Sequence, residues 1–217
     1  MDFSWTWICR IKNGEKYIYS FYKNNQYVWE SEDKDEKKYA IDIYLFDNKD
    51  EEISEKKPFF GKLPFEVKDV YDWNKHIDLL NTHPDKLVDS NSKKFRIGLN
   101  CFHDRPSAPQ FARDIEQEMQ DVFSLHGNKI TNIAFTGIGK NSDSYPWHCD
   151  TMDVFLVQVL ASVEMRVEGH NNDEPFWFNP GDYVWLPRGT HHQVIPHDSR
   201  VSFSFGVEGD PDPSIYF

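Results

Sequence analysis

The chain has 217 residues, enough for one well-buried domain with a small appendage. Its 39% hydrophobic and 16% aromatic content is typical of a globular protein and excludes a disordered one. Lys and Arg number 24 against 36 Asp and Glu. The resulting net charge of −12 repels phosphate groups and argues against nucleic acid or an anionic membrane surface as a partner.

Cysteine use and hydropathy together indicate a reducing compartment. The three cysteines are odd in number and widely spaced, which favours neither a disulfide framework nor a zinc site. The first residues lack a basic region followed by an apolar run, and no apolar stretch approaches the ~20 residues that span a bilayer. We therefore expect a cytoplasmic protein that does not enter a membrane.

The first part of the chain is predicted to be β-rich. Apolar and polar residues alternate from Phe3 to Ile11, the period of a half-buried strand, and Asn13-Gly14 then suits a tight hairpin turn. Alternation resumes in two further stretches, residues 17–21 and 41–45. The charged run at 47–57 is interpreted as a solvated loop.

Two helices are predicted, a short one at residues 72–80 and a longer one at 108–125. For the longer helix, Ser107 with Gln110 resembles a capping box, and Gly127 follows its end. Its apolar residues recur on one helical face, so the helix is expected to cover a sheet: Phe111, Ile115, Met119 and Val122.

The C-terminal half is almost wholly strand and turn. A strand at 94–102 precedes the long helix, and short strands with Gly and Pro between them fill residues 130–208. This pattern predicts a mainly β fold, a double-stranded β-helix (jelly roll, cupin) with additional N-terminal strands and one or two covering helices. We expect the core at residues 101–217. Residues 1–100 would form an N-terminal β-rich extension packed on that core in one compact unit, available as a docking surface or homodimer interface.

The residues that carry chemistry lie in this C-terminal half. His148 and Asp150 are two positions apart, so on a strand both side chains project to the same face and can bind one metal ion. A Pro-Gly-Asp turn further on leads into a strand and then to the adjacent His191 and His192. Two imidazoles and one carboxylate, with other positions open, are the ligands of non-haem iron(II) oxygenases. The pattern predicts a mononuclear Fe(II) site whose third ligand is one of these two histidines.

Two motifs carry a resemblance to a known family. The stretch His148-Cys149-Asp150-Thr151-Met152-Asp153-Val154-Phe155-Leu156-Val157-Gln158 is similar to His-x-Asp-x-x-Asp-Val-Phe-x-x-Gln. Pro180-Gly181-Asp182, a hydrophobic strand and Pro187-Arg188-Gly189-Thr190-His191-His192 follow in the same order as Pro-Gly-Asp, strand and Pro-x-Gly-x-x-His. Both motifs are those of the cupin-like JmjC-type oxygenases, with the ribosomal oxygenases nearest in pattern, and the resemblance covers residues 130–207.

The resemblance implies an activity and selects the third iron ligand. The family places that ligand three positions after the glycine, which is His192 here, while strand alternation turns His191 away. It also implies 2-oxoglutarate and O₂ as co-substrates. The reaction implied is hydroxylation of an unactivated C–H bond by a 2-oxoglutarate-dependent dioxygenase.

The anchor for the distal carboxylate of 2-oxoglutarate departs from the family pattern. The family's basic residue would fall at Ser162 or Val163, and the nearby Arg166 has the wrong strand parity. Other 2-oxoglutarate oxygenases use an Arg-x-Ser after the distal histidine, which Arg200 and Ser202 match. A guanidinium group binds a carboxylate bidentately, so we expect these two residues to bind the co-substrate. The alternative is a surface arginine paired with Asp198.

Six further residues are predicted at the site. Asn132 and Thr136 match an Asn-x-x-x-Thr that lines the cofactor pocket in the family. Four residues flank the iron ligands and are expected to contact the prime substrate, with core packing an equal alternative for the aromatics: Tyr145, Trp147, Met152 and Asp153.

Three alternatives stay open: a small-molecule hydroxylase with the same cofactors, a cupin metalloenzyme that does not use 2-oxoglutarate, and a non-catalytic binding module. Arg200 and the lack of a third cupin histidine argue against the second, and the intact ligand set argues against the third. The family resemblance and the acidity, which steers basic segments toward the protein, favour a protein or peptide substrate over a small molecule.

Overall fold

The structure is a computed structural model that describes residues 5–12, 16–23, 26–31, 45–46, 49–82, 87–89, 96–123, 128–140, 142 and 144–209. It divides into two compact units, Met1–Asp42 and Ile43–Phe217. The first unit is a three-stranded antiparallel sheet in the order β1-β2-β3, formed by β1 (Trp5–Lys12), β2 (Lys16–Lys23) and β3 (Gln26–Ser31). The strand predicted from the first alternation is confirmed, whereas the Asn13-Gly14 turn lies outside the described residues.

The second unit holds the other helices and strands of the described chain. The helices are α1 (Asp50–Ser54), α2 (Val67–Val70), α3 (Trp73–Asn81) and α4 (Gln110–Phe123), with 3-10 turns at Phe102–Asp104 and Asn171–Asp173. The strands are β4 (Phe59–Lys62), β5 (Leu87–Asp89), β6 (Arg96–Asn100), β7 (Lys129–Gly137), β8 (Asp153–Leu160), β9 (Val163–Val167), β10 (Phe176–Phe178), β11 (Asp182–Leu186), β12 (His192–Ile195) and β13 (Arg200–Glu208). No helix of the described chain is long and apolar enough to cross a membrane.

The predicted helices at 72–80 and 108–125 and the predicted strand at 94–102 are confirmed, with ends shifted by a few residues. Asp72 caps α3, because its side chain accepts a hydrogen bond from the Lys75 backbone N–H at 3.0 Å. The loop predicted over 47–57 is wrong in part. It contains α1, where the Lys49 ammonium lies 3.0 Å from the Glu52 carboxylate, an ion pair at helical spacing. The strand predicted at 41–45 lies almost wholly outside the described residues.

Two antiparallel sheets form the body of this unit. The large sheet has the order β4-β11-β8-β13-β7-β6-β5, and the small sheet has the order β10-β9-β12. From β8 onward the chain passes repeatedly between the two sheets, since β8, β11 and β13 belong to the large sheet and β9, β10 and β12 to the small one. This is the arrangement of a double-stranded β-helix, so the predicted fold class is confirmed. The large sheet combines strands from both sides of the predicted boundary at residue 100: β4, β5 and β6 precede it, and β7, β8, β11 and β13 follow it.

Apolar side chains fill the space between the sheets and also cover the outer face of the large sheet. The cluster between the sheets comprises Val154, Leu156, Val163, Met165, Val167, Phe178, Val184 and Leu186. On the outer face, helix α4 packs Phe111 at 5.8 Å from Phe203 and Phe123 at 5.0 Å from Trp185, measured between ring centroids. The predicted covering helix is therefore confirmed, and strands β8, β11 and β13 are buried on both faces.

A buried histidine joins α3 to the large sheet. His76 is fully buried, with Nδ1 3.0 Å from the Tyr71 hydroxyl and Nε2 2.7 Å from Thr136 Oγ1. Burial lowers the pKa of His76 to about 4, because the charged ring would be desolvated. The ring is therefore neutral at neutral pH and serves as a hydrogen-bonding link within the core.

Candidate metal centre

Two neighbouring chain segments bring the three predicted ligands together. His148 and Asp150 lie just before β8, and His192 begins β12. The His192 backbone N–H donates to the His148 carbonyl at 2.7 Å, and the His148 N–H donates to the His192 carbonyl at 3.1 Å. One ligand atom from each of the three side chains lies within 4.8 Å of the other two. The backbone pairing thus places two imidazoles and a carboxylate around one point.

The ring nitrogens are oriented for metal binding. Nδ1 of His148 lies 2.8 Å from the Pro146 carbonyl, and Nδ1 of His192 lies 3.1 Å from the Thr190 carbonyl. A carbonyl oxygen only accepts hydrogen bonds, so both Nδ1 atoms carry a proton and both Nε2 atoms present a lone pair. These Nε2 atoms lie 3.8 Å (His148) and 3.5 Å (His192) from the Asp150 carboxylate oxygens.

The protonation and spacing of the ligand set fit a divalent ion. Burial lowers the pKa of His192, which keeps its ring neutral, as metal binding requires. Ligand atoms that each lie about 2.1 Å from one ion are roughly 3 Å from each other. The three side chains therefore need to move only slightly closer together to bind an ion. The side chains of His192, His148 and Asp150 are 8%, 29% and 40% exposed, which leaves one side of the centre open.

A second set of contacts fixes the turn before His192 against the start of β8. The Gly189 N–H donates to the Asp150 carbonyl at 2.9 Å. The Asp153 carboxylate accepts from the Arg188 backbone N–H at 2.7 Å and lies 3.3 Å from Arg188 Nε. Asp153 therefore faces the turn, and the structure does not bring it to the site as a substrate contact. Its position indicates that it holds the His192 segment in place.

Asp153→Ala is expected to weaken metal binding by roughly 10–100-fold, the usual effect of removing a group that orients a ligand. The reason is that the turn leading to His192 would lose its buried carboxylate acceptor. Titration of the protein with Co(II), followed by absorption, measures this. Asp182→Ala is the matched control, because Asp182 also accepts a turn N–H, from Asn179 at 2.7 Å, but is not a residue of this site. Equal metal affinity of Asp153→Ala and wild type would contradict the assignment.

A cavity of about 500 Å³ adjoins the ligands between the two sheets. Arg200 and Ser202 of β13 line it, whereas Phe203 of the same strand packs against α4. Arg200 is only 3% exposed, which rules out a surface arginine. Its Nη1 lies 3.4 Å from Ser202 Oγ and its Nη2 lies 3.3 Å from Ser144 Oγ. The sequence-predicted anchor is thus a buried cation on the wall of the cavity.

Arg166 lies outside the cavity lining, as predicted from its place on the opposite face of the strand. Its guanidinium stacks on the Trp147 ring at 4.4 Å, and its Nε donates to the Asp173 carbonyl at 2.5 Å. The Trp147 ring also lies 5.9 Å from the ring of His191, whose Nδ1 lies 3.1 Å from the Glu168 carboxylate. Trp147, Arg166 and His191 are not among the residues that line the cavity.

The remaining predicted residues divide between the cavity and the protein core. Tyr145 and Met152 line the cavity, and the Tyr145 ring is 5.2 Å from the His148 ring. Asn132 contributes to the lining, but its side chain accepts from the Phe102 N–H at 2.9 Å and donates to Glu116 at 2.8 Å.

Thr136 does not line the cavity, because its hydroxyl is bonded to His76 in the core on the α3 side. Sequence reasoning gave no role to two residues that contact the predicted anchor residues, Ser144 beside Arg200 and Gln158 beside Ser202. Ser144 lies in a loop without a motif, and Gln158 belonged to the quoted motif but was given no role.

The fold and the three side chains define a double-stranded β-helix protein with a His-Asp-His set that could hold a metal ion beside its cavity. No protein-family model and no curated protein matches the sequence. Among solved structures, the chain has the fold of YcfD, a ribosomal oxygenase from Escherichia coli, with a TM-score of 0.57 and 12% identity. That match covers 80% of this chain and 54% of YcfD.

YcfD structures in complex with cobalt and 2-oxoglutarate, and with cobalt and succinic acid, also match. Each has a TM-score of 0.56 and 11% identity and covers 78% of this chain and 53% of YcfD. The chain therefore spans about half the length of YcfD. At such identity the likeness establishes a shared fold.

Proposed function

We propose that the chain is an Fe(II)- and 2-oxoglutarate-dependent oxygenase that hydroxylates an unactivated C–H bond. The observation that carries this proposal is the convergence of His148, Asp150 and His192 beside a cavity whose wall contains the buried Arg200. Such a ligand set suits Fe(II) and leaves positions open for a 2-oxo acid and O₂.

Each group of the site has a role in this reaction. His148 and His192, with the Asp150 carboxylate, would hold the iron. The bound iron would couple oxidative decarboxylation of 2-oxoglutarate to insertion of one oxygen atom into the substrate. Arg200 would bind the distal carboxylate of the co-substrate within the cavity.

The use of 2-oxoglutarate distinguishes this proposal from a cupin metalloenzyme of another type. Arg200 is only 3% exposed, and a buried guanidinium group favours an anionic ligand. The distal carboxylate of 2-oxoglutarate is such a ligand. YcfD, which shares the fold, has been solved in complex with cobalt and 2-oxoglutarate and with cobalt and succinic acid, and these complexes support the proposal.

A polypeptide is the proposed prime substrate. The side chain of Asp150 is 40% exposed and Tyr145 is 45% exposed, so the metal centre is accessible to a bulky partner. The net charge of −12 would attract a basic segment. The description of YcfD as a ribosomal oxygenase is compatible with a protein substrate. The cytoplasm is the proposed location, supported by the free thiols of Cys101 and Cys149.

Incubation with Fe(II), 2-oxoglutarate and cell-lysate proteins is expected to add about 16 daltons to a protein, since one oxygen atom is inserted. Mass spectrometry detects the shift, and the His192→Ala variant is the control. The apparent affinity for a basic protein substrate should fall between low and moderate salt. At moderate salt the Debye length shortens to ~8 Å, which screens the attraction between the two proteins. A free metabolite that couples stoichiometrically to succinate, with no protein modified, would instead establish the small-molecule hydroxylase.

A further inference from the structure

Gln158, a buried residue of β8, contacts the anchor serine. We infer that Gln158, acting through Ser202, fixes the orientation in which Arg200 receives the distal carboxylate of the co-substrate. Gln158 is thus a positioning residue. This inference rests on the proposed function and adds a residue and a hydrogen-bond direction to it.

An irregularity in the β8–β13 ladder places Gln158 beside Ser202. Val201 pairs with Leu160 and Ser202 pairs with Gln158, so β8 contains one extra residue at this point. Gln158 is fully buried, and its Nε2 donates to the Leu160 carbonyl at 3.0 Å and to the Ala161 carbonyl at 2.5 Å. Both N–H groups of the amide are therefore used by the backbone next to the irregularity.

The two backbone carbonyls determine which way the amide faces. A carbonyl only accepts, so the NH₂ group must point toward Leu160 and Ala161, and Oε1 must point toward Ser202. The Ser202 hydroxyl lies 2.7 Å from Oε1. Because Oε1 only accepts and a serine hydroxyl has one proton, Ser202 donates that proton to Gln158.

The same proton cannot be given to a ligand, so Ser202 offers its lone pairs to Arg200. Nη1 of Arg200 donates to Ser202 Oγ at 3.4 Å, and Ser202 in turn donates to Gln158, so both hydrogen bonds run in the same direction. The three residues are 3%, 1% and 0% exposed, and hydrogen bonds in such a series strengthen one another at low dielectric. Ser202 therefore holds the guanidinium in place and does not donate to the co-substrate.

The test compares two 2-oxo acids on the Co(II)-loaded protein by calorimetry. 2-Oxoglutarate has a distal carboxylate, whereas 2-oxopentanoate has the same metal-binding end without one. Gln158→Met should weaken 2-oxoglutarate binding by roughly two- to tenfold, the effect of one lost hydrogen bond between neutral groups. Binding of 2-oxopentanoate should stay unchanged.

Control variants separate the positioning role of Gln158 from an effect on core packing. Gln193→Met, on the face of β12 that points away from the cavity, should leave both affinities unchanged. Gln158→Asn keeps an amide but is one methylene too short to reach Ser202, and the same selective loss is expected from it if Gln158→Met does not fold. In the Ser202→Ala background, Gln158→Met should add little further loss of 2-oxoglutarate affinity, because the two residues act in series.

Three results would overturn the inference: no loss of 2-oxoglutarate affinity, an equal loss for both acids, or fully additive losses in the double variant. A different failure belongs to the proposed function. If the metal-loaded wild type binds no 2-oxoglutarate, the oxygenase assignment falls, and the positioning role of Gln158 falls with it.

Discussion

His192→Ala is expected to reduce Fe(II)-dependent succinate formation by more than about a hundredfold. Changes to groups that merely orient ligands cost roughly 10–100-fold, and a three-residue ligand set has no spare member. His192 is also the most buried of the three ligands, so water cannot readily take the place of its ring. His148→Ala and Asp150→Ala should have effects of the same size. Succinate release from 2-oxoglutarate in air measures all three variants.

Two other histidines of this region, His191 and His197, are the matched controls. His191 is 44% exposed and paired with Glu168, and His197 is 48% exposed and paired with Glu164. His191→Ala and His197→Ala should therefore keep most of the activity. If His191→Ala were inactive while His192→Ala turned over, the ligand assignment would be wrong.

Arg200→Ala should raise the concentration of 2-oxoglutarate needed for half-maximal turnover at least a hundredfold. Removing one partner of a buried charge pair costs about 3–5 kcal/mol, which corresponds to two or more powers of ten in affinity. The proposed partner is the distal carboxylate of the co-substrate, and Arg200 is nearly fully buried on the cavity wall. Succinate release at increasing 2-oxoglutarate concentration gives the value.

Arg166→Ala is the control for this variant. Arg166 carries the same charge on the adjoining small sheet, but its guanidinium stacks on Trp147 outside the cavity lining. Its removal should change the 2-oxoglutarate requirement by no more than a few fold. The opposite pattern, with Arg166 essential and Arg200 dispensable, would place the anchor on β9.

The sequence was most informative where local pattern and side-chain chemistry coincide. Strands β7 to β13 fill the stretch 130–208 that was predicted to be almost wholly strand and turn, and β13 ends it at Glu208. The three candidate metal ligands could be found because two short motifs contain all of them. The spacing of the second motif in the similar family selected His192, and strand alternation turned His191 away.

Prediction was less successful where both faces of a strand are buried. Asp153 lies on β8, where every position is buried, so alternation alone could not say which face meets the cavity. Thr136 lies on β7, where buried and partly buried positions alternate, and its buried face is the one that His76 contacts. Their partners, Arg188 and His76, are distant in sequence and became visible only in the folded chain. Gln158 was missed for the same reason, because its function depends on a ladder irregularity and on the backbone carbonyls next to it.

The central claim is that one iron and one 2-oxoglutarate bind together at this site and react with O₂. The most direct measurement is an anaerobic titration of the protein with Fe(II) and then 2-oxoglutarate, followed by exposure to air and quantification of succinate. We predict that 2-oxoglutarate binds only after the metal, at one equivalent per chain, and that succinate appears only when both are present. A protein that binds Fe(II) but neither binds 2-oxoglutarate nor releases succinate in air would contradict the claim.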